Sequence, residues 1–309
     1  MSSAEQQIRT EAGEPAPFRE VEVPGAVLAV HRAAGDGGPA DGREPALFVH
    51  GLGGSAGNWT ALMARLSGLV DGEAVDLPGF GRSGPPADGN LSVSGHVRAV
   101  IGYLEAAGRG PVHLFGNSLG GAVSVRLAAV RPDLVRSLTL ISPALPELPP
   151  QRSAWPTALL AVPGVPALLS RLPANGRSPE DTTDGLLRLV YGDPDVLSPA
   201  ARAEAVAEYR RRAELPYAMQ VLIGSARGIV SAYTERGDQA LWQQARQVKA
   251  PTLLVYGLRD KLVSYRSARR ACQAFADARL LVLPDSGHVA MMEHPDQVAR
   301  AVRELLARA

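Results

Sequence analysis

A short apolar run that enters a Gly-x-Ser-x-Gly sequence and leaves into a segment with helical spacing constrains this chain most. The run is residues 112–115, the pentapeptide is Gly116–Gly120, and the helical segment follows from Ala122. A strand that passes so quickly into a helix needs a tight turn, and glycines on both sides of Ser118 remove Cβ atoms that would collide there. The pattern predicts that the Ser118 hydroxyl stands above a strand end, at a helix N-terminus.

A hydroxyl in that position can attack an acyl carbon. The helix N-terminus favours negative charge, and the amide N–H of Leu119 would face the oxyanion that forms. A serine hydroxyl is a poor nucleophile unaided, so this interpretation requires a histidine to accept its proton and a carboxylate to orient that histidine. The motif alone is weak evidence in a chain with 32 glycines, and an ordinary glycine-rich turn is the alternative.

Both required partners occur downstream, each after its own strand-like run. Asp260 follows the apolar run at residues 252–257, and His288 follows the run at residues 280–283. A helical stretch, expected over residues 265–276, separates the two. The order serine, acid, histidine on separate strand ends predicts that the three side chains meet at one end of a parallel sheet.

Other residues could compete for these roles. Asp260 could simply cap the helix that follows it. Asp285 lies in a tight turn just before His288, where a local hydrogen-bonding role is expected. Glu147 comes after the next strand-like run, but that run ends in Ser142-Pro143-Ala144 without a carboxylate at its tip. Histidines in strand-like or helix-like segments without a partner pattern are expected to be structural: His31, His96, His113 and His294.

A second glycine-rich segment, residues 51–57, follows the strand-like run at residues 46–50. Its glycines match the dinucleotide-binding pattern G-x-G-x-x-G/A, and Asp76 falls about where a ribose-binding carboxylate would stand. Against that function, Asp76 continues into a Gly/Pro loop instead of a crossover helix, and the placement of the serine, acid and histidine stays unexplained. In the hydrolytic interpretation, the N–H of Leu52 supplies the second oxyanion donor.

Together these motifs resemble the α/β-hydrolase superfamily over roughly residues 21–309. The matching segments are His50-Gly51-x-Gly53-Gly54-Ser55, Asp76-Leu77-Pro78-Gly79-Phe80-Gly81-Arg82-Ser83, Gly116-Asn117-Ser118-Leu119-Gly120-Gly121, Asp260 and Ser286-Gly287-His288. The resemblance implies an α/β fold with a mostly parallel twisted sheet flanked by helices, a Ser118-His288-Asp260 triad, and neither cofactor nor metal.

Within that superfamily the motifs look most like those of carboxylesterases and of hydrolases that cleave the carbon-carbon bond of vinylogous 1,5-diketones. Haloalkane dehalogenases and epoxide hydrolases of similar outline use an aspartate as nucleophile, so Ser118 argues against both. Asn117 matches the carbon-carbon hydrolases, whereas Thr60-Ala61 after Trp59 departs from the asparagine that they tend to carry there. The resemblance implies that Asn117 and Trp59 contact the substrate.

The sheet pattern also suggests how the chain is divided. We expect a loose polar tail at residues 1–18, a core at residues 19–145 and 239–309, and a helical cap at residues 146–238. The cap would lie over Ser118, and the alternative is a helical appendage remote from the site. Helix-like segments are expected at residues 186–191, 199–215 and 217–233. Apolar side chains expected to line the pocket are Leu159, Leu160, Val162, Leu168 and Leu169.

Composition restricts the partners of the protein. A net charge of +1 over 309 residues gives no electrostatic case for nucleic acid or an anionic membrane surface. The single cysteine, Cys272, excludes an internal disulfide, and no Cys/His cluster has metal-ligand spacing. The polar N-terminal segment resembles neither a signal peptide nor a membrane anchor, so a cytoplasmic location is expected. The oligomeric state stays open.

The sequence therefore predicts a serine hydrolase that cleaves a carboxylic ester of a small or medium apolar substrate through an acyl-enzyme. A carbon-carbon hydrolase acting on a vinylogous 1,5-diketone is the alternative. Thioester, lactone, amide and peroxyacid chemistry use the same triad and also stay open. A member of the fold that binds a ligand without catalysis is the remaining possibility.

Overall fold

A mostly parallel sheet forms the centre of the molecule. The computed structural model describes residues 18–32, 42–147, 151 and 178–309. The strands are β1 (Phe18–Val23), β2 (Ala26–Arg32), β3 (Glu44–Val49), β4 (Val70–Val75), β5 (Val112–Asn117), β6 (Val135–Ile141), β7 (Thr252–Gly257) and β8 (Ala278–Leu283). They lie in the order β1-β2-β4-β3-β5-β6-β7-β8. The pairs β1–β2 and β2–β4 are antiparallel and the others are parallel, which confirms the predicted sheet.

Helices follow most of the parallel strands. In the described part of the chain they are α1 (Thr60–Leu66), α2 (Val93–Ala106), α3 (Leu119–Val130), α4 (Pro179–Val190), α5 (Pro199–Ala213), α6 (Ala218–Thr234), α7 (Leu241–Gln247), α8 (Ala268–Ala274), α9 (Ala290–Glu293) and α10 (Pro295–Leu306). No helix among the described residues is long and apolar enough to cross a membrane.

Two hydrophobic clusters cover the two faces of the sheet. Side chains of α2, α3 and α7 pack on one face, and side chains of α1, α9 and α10 pack on the other. Every residue of β4, β5 and β7 is buried. A parallel strand that is covered on both faces has no side that faces solvent. Its sequence therefore tends to be a continuous apolar run, with little alternation between apolar and polar residues. That is why the strands that carry the site could be recognised as apolar runs.

Two helices differ from their predicted bounds. The segment expected at residues 265–276 begins as a 3-10 turn at Tyr265–Ser267 and becomes α-helical only over Ala268–Ala274. Helix α4 begins well before residue 186, because the Ser178 hydroxyl caps its first turn and the Asp181 carboxylate returns a bond to the Ser178 backbone. The bounds of α5 and α6 agree with prediction to within two residues.

The segment between β6 and β7 contains the predicted cap, and we call residues 146–238 the insert. Helices α4, α5 and α6 occupy its described part, residues 146, 147, 151 and 178–238. The pocket residues expected at positions 159–169 lie outside the described residues, as does most of the predicted tail. The placement of the insert over the site stays a proposal, and its contacts with the sheet are described below.

Buried histidines contribute hydrogen bonds inside the fold. The His96 ring lies 3.1 Å from the Ser225 hydroxyl, which joins α2 to α6. The His113 ring contacts the Ser137 hydroxyl at 2.8 Å and Glu44 at 2.7 Å. Burial lowers the pKa of His96 to about 3 and also lowers the pKa of His113. Both rings are therefore neutral in the folded protein at neutral pH.

We expect acid to destabilise the protein through His96. The pKa of this ring is about 3 when folded and about 6.5 when unfolded, so only the unfolded chain takes up the proton as the pH falls through 6.5. The free energy of unfolding should fall by about 2 kcal/mol between neutral pH and about pH 5 from this group alone. Urea unfolding at both pH values, on wild type and His96→Gln, measures it. An equal pH dependence in the two proteins would contradict the assignment.

Candidate active site

Ser118 occupies the tight turn between β5 and α3. Its φ of 52° and ψ of −116° are unusual for a residue other than glycine. Such a conformation costs on the order of 1–3 kcal/mol and persists only where its surroundings hold it. The Ser118 N–H donates to the carbonyl of Ile141 at 3.2 Å, and its carbonyl accepts from the N–H of Ala144 at 2.9 Å. Ser118 is partly exposed between buried neighbours, so its hydroxyl can be reached.

The flanking glycines allow backbone to approach backbone. A Cβ on Gly116 would lie 2.5 Å from the carbonyl oxygen of Gly120. A Cβ on Gly120 would lie 2.2 Å from the carbonyl oxygen of Val49, at the end of β3. No side chain fits at these distances. The turn therefore requires glycine on both sides of Ser118, as the Gly-x-Ser-x-Gly pattern predicts.

His288 and Asp260 form a buried hydrogen-bonded pair. The His288 Nδ1 lies 2.9 Å from the Asp260 Oδ2, while Oδ1 accepts the N–H groups of Leu262 at 2.8 Å and Val263 at 3.0 Å. Burial alone would raise the pKa of Asp260, but the charge and hydrogen bond of His288, the backbone donor and the nearby Ser142 hydroxyl hold it below its usual value. An ionised Asp260 can orient the imidazole and stabilise its cation.

Asn117 joins β5 to the loop at residues 284–289, which we call the histidine loop. Its side-chain amide donates to the carbonyl of Ile141 and to the carbonyl of His288, both at 3.0 Å. Ser118 therefore follows directly after a residue bonded to the backbone of His288. Among the described residues, no hydrogen bond joins the Ser118 hydroxyl to the His288 ring. Catalytic hydrogen bonds are often long in structures without substrate.

The loop at residues 51–54, which we call the oxyanion loop after its predicted role, lies against Ser118. A Cβ on Gly51 would be 3.0 Å from the Ser118 Cβ. In the described part of the chain, the N–H groups of Leu52 and Leu119 donate no hydrogen bond to protein. Leu119 is the first residue of α3, where backbone N–H groups have no partner within the helix. The structure thus offers two free donors beside the Ser118 turn.

His50 helps to set the direction of one of these donors, the N–H of Leu52. Its Nε2 accepts the N–H of Leu77 at 3.0 Å, so the ring proton is on Nδ1, which donates to the carbonyl of Gly51 at 2.7 Å. The N–H of Gly54 donates to the same carbonyl at 3.0 Å. In a planar trans peptide the carbonyl and the next N–H point in opposite directions. Two bonds on the Gly51 carbonyl therefore set the direction of the Leu52 N–H. Burial lowers the pKa of His50, which keeps it neutral.

The two residues predicted to contact substrate are both buried. Asn117 is occupied by the two backbone carbonyls described above. Trp59 is fully buried, with ring centroids 5.4 Å from Phe48 and 6.4 Å from Phe115. Its indole N–H has no hydrogen-bond partner among the described residues. The substrate-contact role of both residues stays a prediction.

The two carboxylates that could compete with Asp260 for the partnership with His288 are Asp285 and Glu147, and both make other contacts. Asp285 is exposed and pairs with Arg259 at 2.8 Å. Glu147 accepts the N–H of Ser264 at 3.1 Å, and burial together with the charge of Asp260 raises its pKa. Neither is bonded to the His288 ring. The described residues contain no group of histidine, cysteine and carboxylate side chains that could hold a metal ion.

Ser142 lies beside Asp260, and no motif in the sequence singles it out. It follows the last residue of β6 with a φ of 44°, and its side chain is fully buried. Its hydroxyl makes no hydrogen bond of ordinary geometry among the described residues, yet it faces Asp260 closely enough to lower the pKa of that carboxyl. The sequence shows only that no carboxylate stands at the end of β6.

The insert contacts the histidine loop through backbone groups. The N–H of His288 donates to the carbonyl of Val190 at 2.7 Å. The Glu293 carboxylate accepts the N–H of Gly287 and that of Gly192, both at 2.8 Å. A Cβ on Gly192 would lie 2.3 Å from the carbonyl oxygen of Asp285, so this contact requires a glycine. The histidine loop is therefore held by the insert as well as by the sheet.

Known proteins share this architecture. A family model described as alpha/beta hydrolase fold matches residues 45–295. Lipase 1 of Psychrobacter immobilis is 28% identical over 274 residues, covering 85% of this chain and 78% of the lipase. The 2-hydroxymuconate semialdehyde hydrolase of Pseudomonas putida is 29% identical over 273 residues, covering 86% and 88%.

A solved structure agrees at the level of the fold. Haloalkane dehalogenase DbeA from Bradyrhizobium elkani matches with a TM-score of 0.77 at 22% identity, over 94% of this chain and 97% of that protein. The matched residues run from β3 to β8 and extend past His288. This confirms the resemblance seen in the motifs: the chain belongs to the alpha/beta hydrolase fold family.

Proposed function

We propose that this protein is a serine hydrolase that cleaves a carboxylic ester through an acyl-enzyme. The observation that carries the proposal is the arrangement at the strand ends. Ser118 stands in a strained turn, its neighbour Asn117 is bonded to the backbone of His288, and the His288 ring is bonded to a buried Asp260. The name of Lipase 1, the relative from Psychrobacter immobilis, supports the same class of reaction.

The mechanism follows from the position of each group. His288 accepts the Ser118 proton as the serine oxygen bonds to the carbonyl carbon, and Asp260 stabilises the imidazolium. The N–H groups of Leu52 and Leu119 stabilise the oxyanion. The imidazolium then gives its proton to the leaving alcohol as the carbon-oxygen bond breaks. Water attacks the acyl-enzyme with His288 as base, and the acid product and free Ser118 are released.

A carbon-carbon hydrolase is the second candidate. The hydrolase of 2-hydroxymuconate semialdehyde from Pseudomonas putida is as similar to this chain as the lipase is. Asn117 matches that group of enzymes, but the buried amide is committed to two backbone carbonyls. Both proposals use a small-molecule substrate and ask for no cofactor. A near-zero net charge gives no support to a nucleic-acid partner.

Removing the nucleophile should abolish turnover. In Ser118→Ala we expect kcat on an activated ester to fall by roughly 10⁴-fold or more, with the fold intact, because no other hydroxyl occupies the turn. Ser124→Ala is the matched control, since Ser124 is a buried serine on α3 whose hydroxyl has no partner among the described residues. Steady-state kinetics and circular dichroism measure both. Full activity in Ser118→Ala would refute the assignment.

Neutralising the acid should cost less than removing the nucleophile. Asp260→Asn keeps the shape of the side chain but destabilises the imidazolium, so we expect kcat to fall by roughly 10³–10⁴-fold. Asp285→Asn is the control, because that exposed aspartate is paired with Arg259 and not with His288. Equal activities in these two variants would show that the acid has been misassigned.

A substrate series separates the two candidate reactions. We expect p-nitrophenyl esters, from acetate to palmitate, to show a chain-length optimum that is lost in Ser118→Ala. The optimum would reflect the size of the acyl pocket. If Ser118 reacts with a fluorophosphonate but no ester turns over, the ester proposal fails, and vinylogous 1,5-diketones become the substrates to assay. If Ser118 does not react with the fluorophosphonate either, the hydrolase proposal fails as a whole.

A further inference from the structure

Two consecutive arginines at the end of α5 reach from the insert to the glycine loops of the core. Arg212 donates from Nη1 to the carbonyl of Gly53, in the oxyanion loop. Arg211 donates from Nη2 to the carbonyl of Gly81 at 2.9 Å and pairs with Glu208 at 2.6 Å. The two neighbours therefore bind different loops, and only Arg212 binds the loop beside the nucleophile.

Arg212 lies in a costly environment for a cation. Burial lowers its pKa, although Glu208 acts in the opposite direction. Its described contacts are the Gly53 carbonyl and the face of Tyr209, with 5.8 Å between Cζ and the ring centroid. The Arg212 side chain is partly exposed and forms no ion pair among the described residues, so the hydration that it loses is not offset by a carboxylate in contact. A cation kept here for one backbone carbonyl points to a function for that bond.

The bond from Arg212 belongs to a chain of connected peptide groups. Gly53 has a φ of +71°, and a Cβ there would lie 3.3 Å from Arg212 Nη1. The peptide between Gly53 and Gly54 is held at both ends, because its carbonyl accepts from Arg212 and its N–H donates to the carbonyl of Gly51 at 3.0 Å. The Gly51 carbonyl in turn sets the direction of the Leu52 N–H.

We propose that Arg212 is a positioning residue that holds the oxyanion loop in the geometry needed by the Leu52 N–H. This inference rests on the proposed serine hydrolase function. Arg212 touches neither the nucleophile nor the histidine, and it acts through the Gly53–Gly54 peptide. Because the guanidinium is part of the insert, the oxyanion site is complete only while α5 lies against the loop.

A role in positioning an oxyanion donor should affect the transition state more than the bound substrate. In Arg212→Ala we expect kcat on a neutral p-nitrophenyl ester to fall 10–100-fold with little change in KM. The Ki of a trifluoromethyl ketone should rise by a similar factor. The Ser118 oxygen adds to the carbonyl carbon of this inhibitor while His288 takes the serine proton. The ketone oxygen then becomes an oxyanion that faces the same two N–H donors. Arg212→Lys, which keeps a cationic N–H donor, should recover part of both losses.

Arg211→Ala is the matched control, because it removes a neighbouring cation of the same helix that binds Gly81 instead of Gly53. It should leave kcat and Ki within about twofold of wild type. Urea unfolding of all three variants checks the fold, and Arg212→Lys decides the question if Arg212→Ala unfolds.

Two results would overturn the proposal for Arg212. The first is that the Arg212 variants have the same kcat and the same Ki as the control variant Arg211→Ala. The other is a loss confined to KM for substrates that carry a carboxylate, which would make Arg212 a substrate-binding residue. If wild type itself shows neither Ser118-dependent turnover nor binding of the ketone, the proposed function fails first. The two failures are therefore distinguishable.

Discussion

The N-terminus of α3 lies against the carbonyl groups that end β3, and the rest of the candidate site depends on this contact. Gly120 makes it possible, since a Cβ there would lie 2.2 Å from the Val49 carbonyl oxygen. The approach places Ser118 beside Gly51 and leaves the N–H of Leu119 directed out of the helix. A larger residue at position 120 would push the Ser118 turn away from the end of β3 and from the oxyanion loop that carries the Leu52 N–H.

Much of this architecture could be predicted from the sequence because its determinants are local. Strands covered on both faces appear as continuous apolar runs, and glycines mark the positions where two backbones meet. Asp260 could be found because it follows the fully buried strand β7, and His288 because it follows β8, an edge strand that is apolar in sequence although only partly buried. The sheet then brings them together, and their hydrogen bond depends on parallel register that no single segment shows.

The parts that could not be predicted depend on contacts between distant segments. Arg212 and Gly53 are far apart in the chain, and the sequence around either residue does not indicate a contact with the other. The burial of the Trp59 ring against Phe48 also depends on distant packing, and the substrate contact that the family resemblance implies for it stays a prediction. The start of α4 is different, because Ser178 and Asp181 do form a local capping signal that apolar periodicity does not reveal.

The backbone N–H of His288 has a further consequence for how such enzymes can change. Its acceptor is the carbonyl of Val190, which belongs to the insert, while its carbonyl is bound by Asn117 of the sheet. The histidine backbone is thus bonded to two parts of the chain, the insert and the sheet. An exchange of the whole insert for one from a relative must supply an equivalent carbonyl, or it leaves a buried donor unpaired at His288, the proposed general base. New specificities are therefore more accessible by changing side chains within the insert than by replacing it.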